Sequence, residues 1–441
     1  MKNNWNINSW KYFKIQQQPN YENVELLNVS LDKLKTLPAL VFSGETRILL
    51  NQLNTLNDDK FILQIGECSE SFTDCHGPKI HNYLRIFLQM ANIIQYENDV
   101  DIIKIGRIAG QYAKPRSNDY ETINNESILS YKGDIINEFE PTSEKRKHNP
   151  QKLIEGYFHS AATLNLIRAF IDGGYSDIEN ISDWERHFYY KELKKLDYYE
   201  NFIDTLKNSL KEKNLKNKKD NLFISHECLL LDYESSFARV DTITNEYYST
   251  SAHTLWVGER TRQLDSAHIE FVSGLQNPIG IKVGPNFIGN EIVNVIKKIN
   301  PKNIFGKVML IIRMGVSDIE SKLDELQNII KKNQLNVIWI CDPMHGNTFN
   351  YKNFKVRSFE NIVSEIESFF KICNQNGITP GGVHLEITSD YVSECTGGIN
   401  GLSLNDIPTR YITKVDPRLN ASQCLEIAFI INQLIKKYKL K

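Results

Sequence analysis

The chain has 441 residues, enough for one large domain with additions or for two domains of ordinary size. Hydrophobic residues make up 41% of it and charged residues 24%, which is typical of an ordinary soluble globular protein. The formal net charge of −2 argues against a strongly basic surface for nucleic acid or an anionic membrane, but it leaves anionic small molecules as ligands.

Cysteine usage and the lack of long apolar segments indicate a cytoplasmic protein. The seven cysteines are scattered and never spaced as Cys-x-x-Cys, which argues against a disulfide framework and against a zinc finger. The first residues carry no apolar core of a signal peptide, and no stretch of about 18 apolar residues predicts a membrane span. We therefore expect neither a nucleic acid nor a membrane as partner.

Residues 1–60 form a mixed segment that we interpret as an N-terminal extension, packed on a main domain of residues 61–441. The extension contains the aromatic stretch WNINSWKYF and, after a link that contains proline, the stretch SGETRILLNQLNTLNDDK. The second stretch predicts a helix with Ser43 as its N-cap, because a serine hydroxyl can accept a hydrogen bond from the first turn.

From residue 61 onwards, short runs of apolar and β-branched residues recur along the chain. Near-continuous runs of this kind are typical of parallel strands that are covered on both faces. The eight runs are residues 61–67, 101–107, 222–227, 254–260, 279–285, 308–315, 336–342 and 382–388.

Helical patterns separate several of these runs, as at residues 290–300, 318–333 and 359–377. Strand–helix alternation implies parallel crossovers, and eight strands make an α/β fold of the (β/α)8 TIM-barrel type the simplest closure. An open, doubly wound sheet is the alternative. The long gap after the second run predicts an extra helical insertion at about 180–221, after the second barrel helix. Two interpretations of this insertion stay open. It is an extra helical pair on the flank of the barrel, or it is an oligomer contact or a regulatory site.

Ionisable residues stand at the carboxyl ends of the runs, where a barrel of this type carries its chemistry. A single residue of this kind is more often a strand end that meets solvent. The recurrence in nearly every run argues for a site, because converging charges cost free energy unless they are paired or bind a ligand. The strand-end residues are Glu67, Cys68, Arg107, His226, Glu227, Glu259, Arg260, Lys282, Arg313, Asp342, His345, His384 and Glu386.

With nearby loop residues, these groups form two chemical sets. The first combines sulfur, nitrogen and oxygen donors, which suits a divalent transition metal such as Mn²⁺, Fe²⁺, Co²⁺ or Zn²⁺. Its members are Cys68, His345, Glu386 and Asp416. The second set is cationic and contains more basic groups than are needed to bind one phosphate. It therefore predicts two phosphorylated substrates, or one phosphate and a carboxylate. Its members are Arg107, Lys114, Arg116, Arg260, Lys282 and Arg313.

Long motifs extend over nearly the whole chain. They include GECSESF, GRIAGQYAKPRS, LDYESSFAR, STSAHTLWVGERTRQLDSAHIEF, NPIGIKVGPN, CDPMHGNT, PGGVHLEIT, SECTGG and DPRLNASQCLEIAF. In these motifs the chain closely resembles the type II, or plant-like, 3-deoxy-D-arabino-heptulosonate 7-phosphate (DAHP) synthases. The resemblance implies a condensation of phosphoenolpyruvate with erythrose 4-phosphate and water that yields DAHP and phosphate. This reaction opens the shikimate pathway to chorismate and the aromatic amino acids.

The resemblance also implies roles for particular residues. The metal, Mn²⁺ or Co²⁺ with Fe²⁺, Zn²⁺ or Cd²⁺ as alternatives, would be held by Cys68, His345, Glu386 and Asp416. The residues that would meet phosphoenolpyruvate are Arg107, Glu259, Arg260, Lys282 and Arg313. Those that would hold erythrose 4-phosphate are Lys114, Arg116 and Ser117. The group that activates water stays open, with Glu259, Glu227 and a relay of Lys282 and His345 as candidates.

Some positions depart from the family pattern. The family usually has GGDC where this chain has IGEC, which changes the surroundings of Cys68 through Ile65 and Glu67 but keeps the thiol. Val415 stands where some members have a second cysteine, so we expect no redox switch there.

Two other functions compete with this one. The first is a synthase of a secondary-metabolite pathway that uses the same sugar or an amino sugar phosphate, which the motifs barely distinguish. The second is a non-catalytic regulatory family member, which is disfavoured because every catalytic-type position is present. The resemblance further implies a homo-oligomer, a dimer or a tetramer, with a chorismate mutase as a candidate protein partner. It leaves feedback inhibition by aromatic amino acids open.

Overall fold

A computed structural model of the protein describes residues 5–57, 59–123, 125–175 and 221–438. Eight parallel strands in these ranges close into a barrel, each hydrogen-bonded to its neighbours in chain order and the last to the first. In order from the first to the eighth, the strands are Lys60–Gly66, Asp101–Arg107, Leu222–Glu227, Thr254–Val257, Ile279–Val283, Val308–Ile312, Ile338–Cys341 and Gly382–Glu386. Each strand falls on one of the eight apolar runs, so the predicted (β/α)8 barrel is confirmed and the open sheet is wrong.

Helices surround the barrel and connect its strands. Those in the described ranges are Val24–Thr36, Ser43–Asn54, Gly77–Gln95, Gln151–Asp172, Leu231–Phe237, Ala267–Ser273, Gly289–Ile299, Ile319–Lys332, Phe359–Gln375 and Ala421–Tyr438. The three helical patterns named from the sequence coincide with helices seven, eight and nine of this series. The insertion predicted at about 180–221 lies outside the described residues except for its last position, and it stays a prediction.

The helix Phe359–Gln375 illustrates how local sequence defines these elements. Ser358 accepts a hydrogen bond from the Asn361 amide at 3.3 Å and so caps the first turn. Ile362, Ile366 and Phe369 recur at helical spacing and are fully buried against the barrel.

The helix Ser43–Asn54 differs from its prediction, because it begins at Ser43 and its N-cap is Phe42.

The Ser43 hydroxyl is used elsewhere, since it donates to Asp241 Oδ1 at 3.0 Å. Glu45 Oε2 accepts instead from the Phe42 amide at 2.8 Å, so the prediction of Ser43 as the cap is wrong. Leu49 and Leu53 of this helix are fully buried against strand residues from the barrel interior. The extension therefore closes one end of the barrel.

The barrel interior is apolar at that end and charged at the other. Side chains alternate along a strand, so every second residue points inwards. On the second strand, Ile103 and Ile105 pack in the closed end, and Arg107 follows at the open end. No helix in the described part of the chain combines the length and the apolarity that a membrane crossing requires.

Candidate active site

A cavity of about 400 Å³ opens at the carboxyl ends of the strands, and this volume is ample for two small substrates. Basic side chains dominate its wall, whereas its acidic residues are few. Its acidic and basic lining residues are Lys114, Arg116, Glu121, Glu227, Glu259, Arg260, Lys282, Arg313, His345, Lys355, Arg357 and Asp416. The structure therefore brings five of the six predicted cationic residues to one cavity. Arg107 is the exception.

Donor atoms of three predicted metal ligands meet beside this cavity. One atom each of Cys68, Glu386 and Asp416 lies within 4.8 Å of the other two, and all three residues are buried. His345 Nε2 lies 3.1 Å from Glu386 Oε1, which brings the fourth predicted ligand to the same place. In the part of the chain that the structure describes, this is the one group of three such donors.

The charges around these donors fit a bound cation. Lys114 Nζ lies 2.6 Å from both Cys68 Sγ and Asp416 Oδ2, so a positive charge already stands among the ligands. Burial, with Glu386 nearby, raises the pKa of the Cys68 thiol, so metal binding must displace its proton. Burial opposes ionisation of Glu386, but His345 and Arg357 outweigh it and hold the pKa of this carboxyl well below its usual range. A soft thiolate, an imidazole and two carboxylates together suit a divalent transition metal.

Asp342 connects two of the predicted residues. Its carboxylate lies 2.8 Å from His345 Nδ1 and 3.1 Å from Lys282 Nζ, and it is fully buried. Lys282 Nζ also lies 3.5 Å from His345 Nδ1, so both members of the proposed relay contact each other and the same carboxylate. Burial lowers the pKa of Lys282, although Asp342 opposes the shift. The sequence placed Asp342 at a strand end but did not assign it a role.

Arg357 is a site residue that the sequence analysis missed. It lies on a hairpin of the strands Thr348–Tyr351 and Phe354–Ser358, after the seventh barrel strand. Its guanidinium is fully buried, and Nη1 donates to Glu386 Oε2 at 2.7 Å. The alternation in FKVRS is a signal for a short strand, but nothing local indicates that the strand folds back over Glu386.

Arg107 stands behind the ligand cluster, away from the large cavity. Nη2 lies 3.1 Å from Glu386 Oε1, and Nη1 lies 3.0 Å from His384 Nε2. Its side chain borders a smaller space together with Glu67 and Glu70. Direct contact of Arg107 with phosphoenolpyruvate stays a prediction.

The two glutamates considered for water activation differ in their contacts. Glu259 Oε2 accepts from the Gly284 amide and Oε1 from Arg262, each at 2.7 Å, so both of its oxygens are engaged. Glu227 lines the cavity, and its backbone amide donates to Gln111 Oε1 at 2.8 Å. Both glutamates line the cavity, and a role for either as a base stays a prediction.

The remaining predicted residues join the loops at the cavity rim. Arg260 Nη2 donates to Ser117 Oγ at 2.8 Å, which ties the loop after the fourth strand to the loop after the second. Arg313 Nη2 donates to the His345 carbonyl at 3.1 Å. Glu67, where this chain departs from the family motif, pairs with Arg418 at 2.8 Å.

The barrel and this site define an enzyme that acts on small anions and carries a candidate metal centre at its strand ends. The family model of the class-II DAHP synthetases matches residues 5–432. The chain belongs to this family, so the family predicted from the motifs is confirmed.

Similar proteins agree with this assignment. The chain is 39% identical over 437 residues to a Streptomyces coelicolor protein named phospho-2-dehydro-3-deoxyheptonate aldolase, with 97% of each chain covered. A Neurospora crassa protein of the same name is 38% identical over 452 residues, which cover 97% of this chain and 93% of that one. An alignment with a solved DAHP synthase from Thermotoga maritima covers 88% of this chain and 72% of that chain, with 13% sequence identity. The TM-score of this comparison is 0.40.

Proposed function

We propose that the protein is a DAHP synthase that joins phosphoenolpyruvate, erythrose 4-phosphate and water and releases inorganic phosphate, at the entry to the shikimate pathway. Family membership and the names of the two curated relatives support the proposal. The observation that carries it is that a cationic cavity opens directly on the ligand cluster, with His345 and Asp416 part of both. Two anionic substrates can therefore meet beside one metal ion.

The cationic residues divide between the two substrates. Arg260, Lys282 and Arg313, with Arg107 behind the cluster, take phosphoenolpyruvate, because guanidinium groups bind phosphate and carboxylate oxygens bidentately. Lys114, Arg116 and Ser117 take the phosphate end of the sugar. The contact of Arg260 with Ser117 joins the two subsites, so binding at one orients the loop of the other. Positioning of this kind supplies much of a rate acceleration.

Cys68, His345, Glu386 and Asp416 would hold the metal, for which we propose Mn²⁺ or Co²⁺. When bound, the ion supplies a Lewis acid for the aldehyde oxygen of the sugar. Asp416 Oδ1 also accepts a hydrogen bond from Lys355 at 2.7 Å, which orients the carboxylate as a ligand.

The protein's own groups serve the condensation as follows. C3 of phosphoenolpyruvate bonds to the aldehyde carbon, whose oxygen gains a proton. Water adds to C2, and the bond from C2 to the phosphate oxygen breaks. Lys282 can donate the proton that the aldehyde oxygen gains, since burial lowers the pKa of Lys282 and its side chain lines the cavity. Asp342 lies 3.1 Å from Lys282 Nζ and 2.8 Å from His345 Nδ1 and positions both groups. Glu227, which lines the cavity, accepts the proton of the attacking water.

From the resemblance to the family we also propose that the protein is cytoplasmic, that it forms a dimer or a tetramer, and that a chorismate mutase is its partner. Light scattering of the purified protein, with and without the mutase, tests the last two points.

Phosphate release from the two substrates tests the function directly. We expect turnover with Mn²⁺ or Co²⁺, loss of turnover with a chelator, and recovery when metal is added back. Absence of turnover with every divalent ion rejects the proposal, and turnover with an amino sugar phosphate alone assigns the protein to a secondary-metabolite pathway. The same assay with Phe, Tyr and Trp present reports feedback inhibition.

A further inference from the structure

A short segment of the N-terminal extension, residues 14–20, connects the chain segments that follow the second, third and fourth strands of the barrel. The Lys14 carbonyl accepts from the Ala267 amide at 2.9 Å, in the helix after the fourth strand. Gln18 Nε2 donates to the Leu229 carbonyl at 2.6 Å, in the loop after the third strand. Gln17 Oε1 accepts from the Arg116 amide at 2.8 Å, in the loop after the second strand. We call residues 14–20 the strap.

The backbone of the strap is unusual at Gln17. Its φ of 60° lies in the left-handed region, which costs free energy for a residue with a side chain. The neighbouring contacts of Gln18 and the hydrogen bond from the Asn20 amide to His148 Nδ1 at 3.0 Å hold the chain on both sides of this position. In this conformation the side chain of Gln17 reaches the loop that carries Arg116.

The loop at Arg116 has few other backbone anchors. The Lys114 amide donates to the Lys132 carbonyl at 2.8 Å, and Pro115 has no N–H to donate. The Arg116 amide is therefore the next donor along the loop, and its partner is Gln17. This bond precedes the two groups, the Arg116 guanidinium and the Ser117 hydroxyl, that line the cavity.

We propose that Gln17 is a positioning residue for the sugar phosphate, which it serves by fixing the backbone of Arg116 and Ser117. The inference rests on the proposed function, in which these two residues bind the phosphate of erythrose 4-phosphate. It assigns the N-terminal extension a part in substrate binding in addition to its packing role. Lys282 lies on the fifth strand and Arg313 follows the sixth, whereas Arg260 contacts the loop held by the strap through Ser117, so the phosphoenolpyruvate subsite depends on the strap less than the sugar subsite does.

Two substitutions remove the acceptor in different ways. Gln17→Met keeps the length of the side chain, and Gln17→Gly removes it while relieving the left-handed backbone, so the second variant should fold at least as well. The matched control is Gln16→Met in the same strap, because the Gln16 side chain has no hydrogen bond to another described residue. We expect KM for erythrose 4-phosphate to rise about three- to tenfold in both Gln17 variants, as for one lost hydrogen bond. KM for phosphoenolpyruvate should rise less than KM for the sugar, because Arg260 alone of its proposed cavity residues contacts this loop among the described hydrogen bonds. We expect kcat to stay unchanged in both variants and both KM values to stay unchanged in the control.

The inference is overturned if Gln17→Gly and Gln16→Met have the same KM for erythrose 4-phosphate. It is also overturned if the KM values for both substrates rise in parallel. Calorimetric titration with erythrose 4-phosphate alone separates this outcome from failure of the proposed function. A wild type that binds the sugar phosphate without turnover refutes the condensation, while weaker binding by the Gln17 variants still supports the strap. A wild type that binds no sugar phosphate refutes both.

Discussion

Asp342 Oδ2 lies 2.8 Å from His345 Nδ1, while Nε2 of the same ring lies 3.1 Å from Glu386 Oε1. The carboxylate thus orients the imidazole and selects the tautomer that presents Nε2 to the ligand cluster. The burial of Asp342 is offset by Lys282 on its other side. This pairing explains why the apolar seventh strand ends in an acid, a turn and a histidine.

Asp342→Asn should lower the affinity for Co²⁺ about 10- to 100-fold, because the amide holds the ring less firmly and lacks the charge. Calorimetric titration of the metal-free protein measures the change. Asp324→Asn, at an exposed position on the helix Ile319–Lys332, is the control and should bind as the wild type does. Equal affinities in the two variants contradict the role of Asp342.

Cys68→Ser should abolish the thiolate-to-metal absorption band of the Co²⁺ protein, since Cys68 is the one thiol in the ligand cluster of the described residues. The control is Cys373→Ser, which changes a buried cysteine whose Sγ contacts Gln327 at 3.2 Å. Persistence of the band without Cys68, or its loss in the control, means that the metal binds elsewhere.

Arg313→Ala should weaken phosphoenolpyruvate binding about 10- to 100-fold, as for the loss of charged hydrogen bonds, and affect sugar phosphate binding far less. Arg116→Ala should give the reverse pattern. Substrate KM values for both variants test the division of the cavity. Comparable losses for the two substrates in either variant argue against it.

Arg357→Met should lower the free energy of unfolding at neutral pH by about 3 kcal/mol, because Glu386 loses a buried partner. Arg107 and His345 still contact Glu386, which limits the loss. Urea unfolding measures it against Arg410→Met, an exposed position where a change of at most about 0.5 kcal/mol is expected. A loss no larger than that of the control would show that the ion pair adds little to stability.

His253 should make the protein sensitive to mild acid. Burial lowers the pKa of His253 to about 4, and Glu45 at 3.8 Å opposes the shift only in part. Its Nδ1 accepts from the Ile224 amide at 2.9 Å, which requires the neutral ring. The folded-state pKa lies below the unfolded value of about 6.5, so the stability is present above that pH and is lost as the pH falls towards 4.

The loss should approach about 3 kcal/mol at the acid end of this window. His253→Asn keeps an acceptor for the Ile224 amide and should flatten the dependence in urea unfolding across the same pH range. His76→Asn, at an exposed histidine, should leave the slope unchanged. An unaltered slope in His253→Asn would assign the acid sensitivity to other groups. His268, whose pKa burial also lowers to about 4, is the next candidate.

Sequence reasoning succeeded where local patterns determine the outcome. Alternation along a strand places Ile103, Ile105 and Arg107 on one side. The sequence of this one run therefore predicts both the apolar start of the strand and the charged residue at its carboxyl end. Parallel strands that close into a barrel bring all the tips to one end, which is why residues as distant as Cys68 and Asp416 could be assigned to one site.

The same reasoning failed where contacts between distant segments override local preference. Ser43 has the chemistry of a cap, but its hydroxyl donates to Asp241, nearly two hundred residues away. Arg357 lies in a short alternating run, but its guanidinium packs against Glu386, which no local pattern indicates. Such partners depend on how loops pack over the barrel, and a linear pattern does not contain that information.

The sequence by itself therefore determined the barrel, the family and the donor atoms of the candidate metal site, because strand periodicity and motif chemistry are local properties. Only the tertiary structure decided that Asp342 orients His345, that Arg357 folds over Glu386 and that Gln17 reaches Arg116. Each of these pairs joins groups by a distance and a direction, which arise when the closed barrel packs its loops and its N-terminal extension together.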